Sequence, residues 1–214
     1  MAGPIDAVLA LHNAFRQDMA GIDAAALAAA RGAPDQAAGV ERFRFFNEVL
    51  VWHAHGEEEA IFPAVDTVAP LVAEAYLEDH HGLDAAFDAL CAAVDADDAL
   101  ATARASAAFK FHLDLHLYKE DNHLYRIVRE RISLPEQGKA VGIMAGHVPQ
   151  ERFPELIAWM FPLVGDDDRE NMLRIWHMVM PPEAFAGAAN LVHAAVGDDW
   201  VELTRRFPEL AAGG

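Results

Sequence analysis

Residues 53–63 read HAHGEEEAIFP, and residues 116–125 read HLYKEDNHLY. In each stretch a histidine is followed four residues later by a glutamate: His53 by Glu57, and His116 by Glu120. On an α-helix this spacing places both side chains on one face, about one turn apart. A buried carboxylate is very costly unless it is paired or bound to a metal. The two stretches therefore predict two helices that each offer an imidazole and a carboxylate to a metal ion.

Around these stretches, apolar residues recur at intervals of three and four, which is the helical period. The composition is rich in alanine and comparatively poor in β-branched residues, which also favours helices over strands. Four long helices are predicted over residues 5–30, 37–62, 70–94 and 100–132, with Gly32, Ala33 and Pro34 ending the first. Because short connections join the helices, we expect an all-α fold with an antiparallel up-down four-helix bundle over residues 1–132.

Each predicted helix carries one histidine on its apolar stripe: His12, His53, His80 and His116. An unsatisfied polar group buried on such a stripe costs about 1–3 kcal/mol, so four of them need a common explanation. Imidazole and carboxylate ligands together suit iron, zinc, copper or manganese, and octahedral geometry favours iron or manganese. Two six-coordinate ions offer roughly twelve positions, of which four histidines, two bridging glutamates and a bridging oxide or hydroxide leave roughly two open.

These residues resemble the HxxxEE…FP segments of hemerythrin-like (HHE cation-binding) proteins. The match covers most of residues 1–132 and extends to His12 and to residues 78–81, EDHH. The resemblance implies an antiparallel four-helix bundle around two iron ions bridged by oxide or hydroxide. It also implies the metal ligands, which are His12, His53, Glu57, His80, His116 and Glu120.

The chain departs from the oxygen-carrying members at the third helix. Those proteins have a further ligating histidine four residues after the first one, where this chain has Asp84. On the fourth helix, Glu120 mirrors the second helix more closely than Asp121 does. The chain thus looks more like the bacterial six-ligand branch, which includes di-iron proteins linked to the repair of iron–sulfur clusters. The cysteine-containing N-terminal segment of those repair proteins is not found here, which argues against a repair role.

Other polar residues near the predicted ligands leave alternatives open. His80 is preferred over His81 because Leu83 and Phe87 follow it in phase. A supporting or solvated role is expected for the carboxylates beside the ligands, Glu58, Glu59 and Asp121. His55 faces roughly away from His53 and is expected at the surface. Three further residues remain candidates for extra ligands or supporting contacts: Tyr76, His112 and His123.

Residues 133–214 show shorter helical patterns that prolines interrupt. The segment is rich in Trp, Phe, Met and Leu, which a flexible linker would not be. We expect a C-terminal extension of shorter helices that packs on the bundle.

The formal net charge of −18 excludes nucleic acid and anionic membrane surfaces as expected partners. A single cysteine, Cys91, allows no disulfide within the chain, and nothing near it would make it reactive. Neither a secretory signal pattern nor an apolar run of membrane-spanning length is found, so a cytoplasmic location is expected.

The expected function is that of a non-haem di-iron protein that binds O2, NO or peroxide. Peroxide decomposition, a catalase-like activity, is the reaction to test first, although the sequence leaves open whether the protein is an enzyme. The alternative is a non-enzymatic sensor of iron, oxygen or NO, or an iron-binding protein, that signals to a protein partner through its C-terminal helices.

Overall fold

A computed structural model of the protein describes residues 3–33 and 37–213, and the side chains of residues 37–41 and 211–213 lie outside the description. All regular secondary structure in the described residues is helical, which confirms the predicted all-α class. The predicted stop at Pro34 lies outside the described residues. The α-helices are α1 (Ala7–Ala30), α2 (Ala37–Gly56), α3 (Phe62–Asp66), α4 (Val72–Asp95), α5 (Ala99–Lys119), α6 (Tyr125–Arg131), α7 (Leu134–Gly146), α8 (Phe153–Met160), α9 (Asp166–Val179), α10 (Pro182–Val196) and α11 (Trp200–Arg206).

The four long helices α1, α2, α4 and α5 form a bundle whose interior has two apolar clusters. Cluster I includes Ile5, Val8, Ile61, Phe62, Tyr76 and Leu124. Cluster II includes Phe15, Phe46, Leu83, Phe109 and Leu113. The chain runs from cluster I to cluster II along α1 and α4, and from cluster II to cluster I along α2 and α5. Neighbouring helices in sequence are therefore antiparallel, as the short connections predict.

Two of the predicted helices are interrupted by a wide turn. The expected helix over residues 37–62 passes into a π-helical turn at Glu57–Ile61, and the expected helix over residues 100–132 does so at Glu120–Leu124. The first of these helices also continues as α3 beyond its expected end at Phe62. Pro63 lies in the first turn of α3, where the N–H that proline lacks is needed least. Such π-turns are rare and are frequently found at functional sites.

The C-terminal helices pack against one side of the bundle. Small residues of α1, namely Ala7, Ala10 and Ala14, share a buried cluster with apolar side chains of α8 to α11. Helix α7 lies against α2 and the following π-turn. The buried carboxylate of Asp18 on α1 accepts a hydrogen bond from the indole N–H of Trp159 on α8, at 2.7 Å. A boundary between two domains at residue 132 stays a prediction.

Within the described part of the chain, we find no helix that is long and apolar enough to cross a membrane.

Candidate metal centre

A polar layer crosses the bundle between the two apolar clusters. On each of the four long helices a histidine stands where cluster I gives way to cluster II, and the two glutamates begin the π-turns that follow α2 and α5. All six of the sequence-predicted ligands lie in this layer and are at most 5% exposed: His12, His53, Glu57, His80, His116 and Glu120. The structure thus brings together side chains that are up to 108 residues apart in the sequence, as from His12 to Glu120.

The six side chains form two groups that could each hold one metal ion. In site A, the ligand atoms of His12, His53, Glu57 and Glu120 all lie within 4.8 Å of one another. In site B, those of Glu57, His80, His116 and Glu120 do so. Each site therefore has two imidazoles of its own, and the two sites share both carboxylates.

The shared carboxylates divide their oxygens between the sites. Glu57 places Oε1 at 3.4 Å from His53 Nε2 in site A, and Oε2 at 3.4 Å from His80 Nε2 in site B. Glu120 places Oε2 at 3.6 Å from His12 Nε2 in site A, and Oε1 at 3.2 Å from His116 Nε2 in site B. The four histidines thus all present Nε2 to the interior of the layer. Two carboxylates in this position can bridge a pair of metal ions.

Carboxylates outside the layer orient two of the histidines through hydrogen bonds at Nδ1, on the side of the ring that faces away from the site. His12 donates from Nδ1 to Asp121 at 2.7 Å, and Asp121 also accepts a hydrogen bond from Arg16. His80 donates from Nδ1 to Glu58 at 2.7 Å. A hydrogen bond at Nδ1 leaves the lone pair on Nε2, which is the atom that faces the site. Glu58 and Asp121 therefore support the candidate ligands by accepting these hydrogen bonds. Glu59 instead pairs with His147 at the surface.

The other two histidines have weaker support. His116 Nδ1 is 3.6 Å from Asp79, which is itself paired with Lys119. His53 Nδ1 is buried without a hydrogen-bond partner among the described residues. The burial lowers the pKa of His53 to about 3 and that of His116 to about 4. Both rings are therefore neutral at physiological pH, as a metal ligand must be.

The pKa values of the two carboxylates shift in opposite net directions, although burial acts to raise both. It works to raise the pKa of Glu57, but the neighbouring His53 and His80 outweigh it and hold that pKa below its usual range. Burial and the charge of Glu57 raise the pKa of Glu120 well above its usual range. Burial works to lower the pKa of His80, and hydrogen bonds and charges from Glu57 and Glu58 raise it instead to about 9. The positive charge of His80 therefore compensates the carboxylate of Glu57 in the absence of a metal, and a bound cation could take over this role.

The unpaired atoms of the layer show that its residues fit a metal. Four buried atoms that face the interior have no hydrogen-bond partner in the described structure: Glu57 Oε2, His80 Nε2, Glu120 Oε1 and Glu120 Oε2. A buried polar atom without a partner costs about 1–3 kcal/mol, and a charged one more. The carboxylate oxygens are lone-pair donors of the kind that iron, zinc and manganese bind, and Nε2 of His80 becomes one when the ring gives up its proton to a metal. A pair of cations would satisfy every one of them.

Tyr125 is a site residue that sequence reasoning missed. Its ring is fully buried in cluster I, and its hydroxyl donates a short hydrogen bond to Glu57 Oε1. Burial and the charge of Glu57 raise the pKa of the phenol well above its usual range, so it stays a donor. Tyr125 lies five residues after Glu120, so the π-helical turn between them places both on the same side of the chain. A regular α-helical period would not have assigned Tyr125 to the site.

The alternatives left open by the sequence are placed as follows. His81 is on the surface with 62% of its side chain exposed, whereas His80 is buried. His55, His112, His123 and Asp84 are also exposed. Tyr76 is buried, but its hydroxyl donates to the carbonyl oxygen of Lys119 at 3.1 Å and not to a candidate ligand.

A polar cavity of about 160 Å³ reaches the layer between α2 and α4. Three candidate ligands contribute to its wall: His53, His80 and His116. Its other polar wall residues include His55, Glu58, His81 and Asp84, and the apolar ones include Phe87 and Phe109. Small polar molecules could reach both sites by this route.

Comparison with known proteins gives distant relatives. Zinc finger protein BRUTUS of Arabidopsis thaliana is 26% identical over 149 residues, which cover 67% of this chain. Two BRUTUS-like zinc finger proteins of the same plant are 24% identical over 190 residues and 23% identical over 203 residues, covering 84% and 81% of this chain. The matched regions are only 12 to 16% of the length of these relatives. No protein-family model matches the chain, and no solved structure does so.

Proposed function

We propose that the protein binds two iron ions in this layer and is a hemerythrin-like protein of the six-ligand type. His12 and His53 would hold one ion, His80 and His116 the other, and Glu57 would bridge them together with Glu120. The observation that carries the proposal is that each buried carboxylate belongs to both four-residue groups, and that three of the four carboxylate oxygens have no hydrogen-bond partner among the described residues.

The types of ligand residue favour iron over zinc. Structural zinc sites are usually tetrahedral and closed, and zinc fingers rely on cysteine ligands. This chain has a single cysteine, Cys91, which does not belong to either site. Four protein ligands per ion leave positions free on a six-coordinate metal. The polar cavity between α2 and α4 lies against three of the proposed ligands. A small molecule that enters this cavity would therefore come close to the free coordination positions.

Bound iron would supply redox chemistry and open positions for O2, NO or peroxide. The protein's own residues would set the conditions for that chemistry. Clusters I and II keep bulk water away on two sides, and the polar cavity admits a small ligand on a third. Asp121 and Glu58 hold His12 and His80 in one ring orientation. Tyr125 holds Glu57 in place through its hydrogen bond.

Metal analysis with matched variants tests the proposal. Protein purified from iron-supplemented cells is expected to contain two irons per chain. Glu57→Ala and His53→Ala should lose most of it, because each removes a ligand. Glu59→Ala and His55→Ala are matched controls two residues away on exposed positions, and they should keep the metal. Wild-type protein without iron, or equal loss in ligand and control variants, would contradict the proposal. If the protein instead contained two zinc ions per chain, this result would support the two sites but contradict the assignment of iron.

Peroxide consumption by the iron-loaded protein separates an enzyme from a binding protein. A catalase-like activity should disappear in His116→Ala and persist in His112→Ala, whose side chain is exposed on the same helix. Iron without turnover of peroxide would favour the second candidate function.

That second candidate is a sensor of iron, oxygen or NO that signals through its C-terminal helices. It is favoured by the contact of α7 with the segment that carries Glu57. A Cβ atom on Gly56 would lie 2.8 Å from the Cα atom of Met144, and His147 pairs with Glu59 at 2.8 Å. A sensor predicts that hydrogen exchange in α7 differs between the iron-loaded and the chelator-treated protein. Equal exchange in the two forms would count against it.

A further inference from the structure

A second cavity of about 160 Å³ lies between the bundle and the C-terminal helices. Its walls come from α1 and α2 on one side and from α7, α8 and α9 on the other. His53 of site A belongs to its wall, so this cavity and the polar cavity between α2 and α4 meet the candidate metal centre at the same histidine.

The wall of this cavity is apolar and carries no counter-charge. Among the described residues that line it, His53 is the only one with a titratable side chain, and no Asp, Glu, Lys or Arg is present. An ion that entered would lose its hydration without gaining a partner, which is strongly unfavourable. The wall therefore selects for neutral molecules with few polar groups.

The volume of the cavity and the types of side chain in its wall define the ligand further. An apolar cavity of about 150 Å³ can stay dry and can bind benzene or xenon. Two of the chain's four tryptophans, Trp52 and Trp176, line the cavity and offer flat aromatic surface. Methionine adapts to ligands of varied shape and makes favourable contacts with aromatic rings. Four of the seven methionines in the chain lie in this one wall: Met144, Met160, Met172 and Met180.

We propose that this cavity is a binding site for a neutral apolar molecule of about the size of a benzene ring, held between the bundle and its C-terminal helices against His53. The binding itself needs no metal and goes beyond the proposed function. Only its influence on the metal rests on that function, because His53 is both a wall residue and a proposed ligand of site A. The C-terminal helices thereby gain a role, since α7, α8 and α9 complete the site.

Benzene is a suitable probe, and benzoate is its charged counterpart. Binding to the full-length protein can be measured by ligand-observed NMR, with the metal content of every sample determined in parallel. We expect benzene to bind and benzoate not to bind, because no cation lines the cavity. In iron-loaded protein, benzene should also shift the absorption of the metal centre.

Substitutions at the rim test the location of the site. Ala145→Trp on α7 places a large ring at an exposed wall position, and Val148→Trp does so at a half-buried one. Each should weaken benzene binding about tenfold or more, which corresponds to about 1.4 kcal/mol. Ala108→Trp on α5 is the control, because Ala108 is an exposed helical residue outside the cavity. It should leave binding unchanged, and thermal melting checks that all three variants fold.

The possible results separate this proposal from the metal proposal. Failure of benzene to bind wild-type protein, equal binding of benzoate, or unchanged binding in both folded rim variants would overturn the cavity proposal. If such protein contains two irons, the metal proposal survives. Protein that binds benzene as expected but contains no metal would support the cavity and contradict the metal centre.

Discussion

The close approach of α7 to α2 at Gly56 gives a sharp prediction for protein stability. A Cβ atom added at Gly56 would lie 2.8 Å from Cα of Met144 and 3.0 Å from both its Cβ and its Cγ. The nearest of these atoms belongs to the backbone, so rotation of a side chain cannot relieve the overlap. Helix α7 would have to move away from the residue that precedes Glu57.

The expected size of the effect follows from two opposing terms. In a helix interior, replacing glycine by alanine normally stabilises the protein by about 1 kcal/mol. Forcing an extra methyl group into a closely packed contact costs about 1–3 kcal/mol. The net effect of Gly56→Ala is therefore a loss of up to about 2 kcal/mol. Gly142→Ala on α7 is the matched control, because nothing lies within 4 Å of its added Cβ. It should gain about 1 kcal/mol.

Urea denaturation of the two variants measures these changes in the free energy of unfolding. The decisive quantity is the difference between them, expected to be about 1–3 kcal/mol in favour of Gly142→Ala. Because Glu57 is the next residue, Gly56→Ala should also weaken metal binding, whereas Gly142→Ala should not. Equal stabilisation by both substitutions would refute the tight contact between α2 and α7.

Three further predictions concern single side chains. Tyr125→Phe removes the hydrogen bond to Glu57, which is worth about 1.5–3 kcal/mol for a charged acceptor, so the protein should bind metal more weakly in competition with a chelator. Glu120→Gln changes a carboxylate that both sites share, so it should lower the metal affinity strongly. Burial raises the pKa of Glu120 in the folded protein, so the metal-free wild type should lose stability as the pH rises above the usual pKa of a glutamate, and the metal-free Glu120→Gln variant should lose less. Asp18→Ala leaves the indole N–H of Trp159 without its acceptor and should lower the free energy of unfolding by about 1–3 kcal/mol.

Exposed residues of the same types provide the controls. Tyr118→Phe should not change chelator competition, and Asp88→Ala should stay within about 0.5 kcal/mol of the wild type. A loss in Tyr118→Phe as large as in Tyr125→Phe would mean that the hydrogen bond to Glu57 does not matter. For Glu120→Gln, a metal-free variant that loses as much stability with rising pH as the wild type would contradict a raised pKa of Glu120.

The sequence was sufficient to predict the bundle and the meeting of the six candidate ligands. A polar side chain on an apolar stripe has a definite depth in a bundle, because helical period and direction determine which residues share a layer. His12 and His80 could therefore be placed beside the two HxxxE pairs without a structure. The distinction between His80 and His81 followed from the same reasoning, since adjacent residues point about 100° apart on a helix.

The structure adds features that helical periodicity does not encode. The π-turns at Glu57 and Glu120 shift the register of everything that follows, and this brings Tyr125 to the site. Hydrogen bonds at Nδ1 of His12 depend on the side-chain orientation across two helices, which residue spacing does not give. The cavity beside His53 arises where five helices meet, and tertiary packing of this kind has no local signal in the sequence.

Anomalous diffraction at the iron edge, from crystals of the full-length protein purified from iron-supplemented cells, tests the metal centre most directly. We expect two anomalous peaks within the polar layer. One should lie among His12, His53, Glu57 and Glu120, and the other among Glu57, His80, His116 and Glu120. A single peak, a peak outside the layer, or no peak in well-ordered crystals would contradict the di-iron centre.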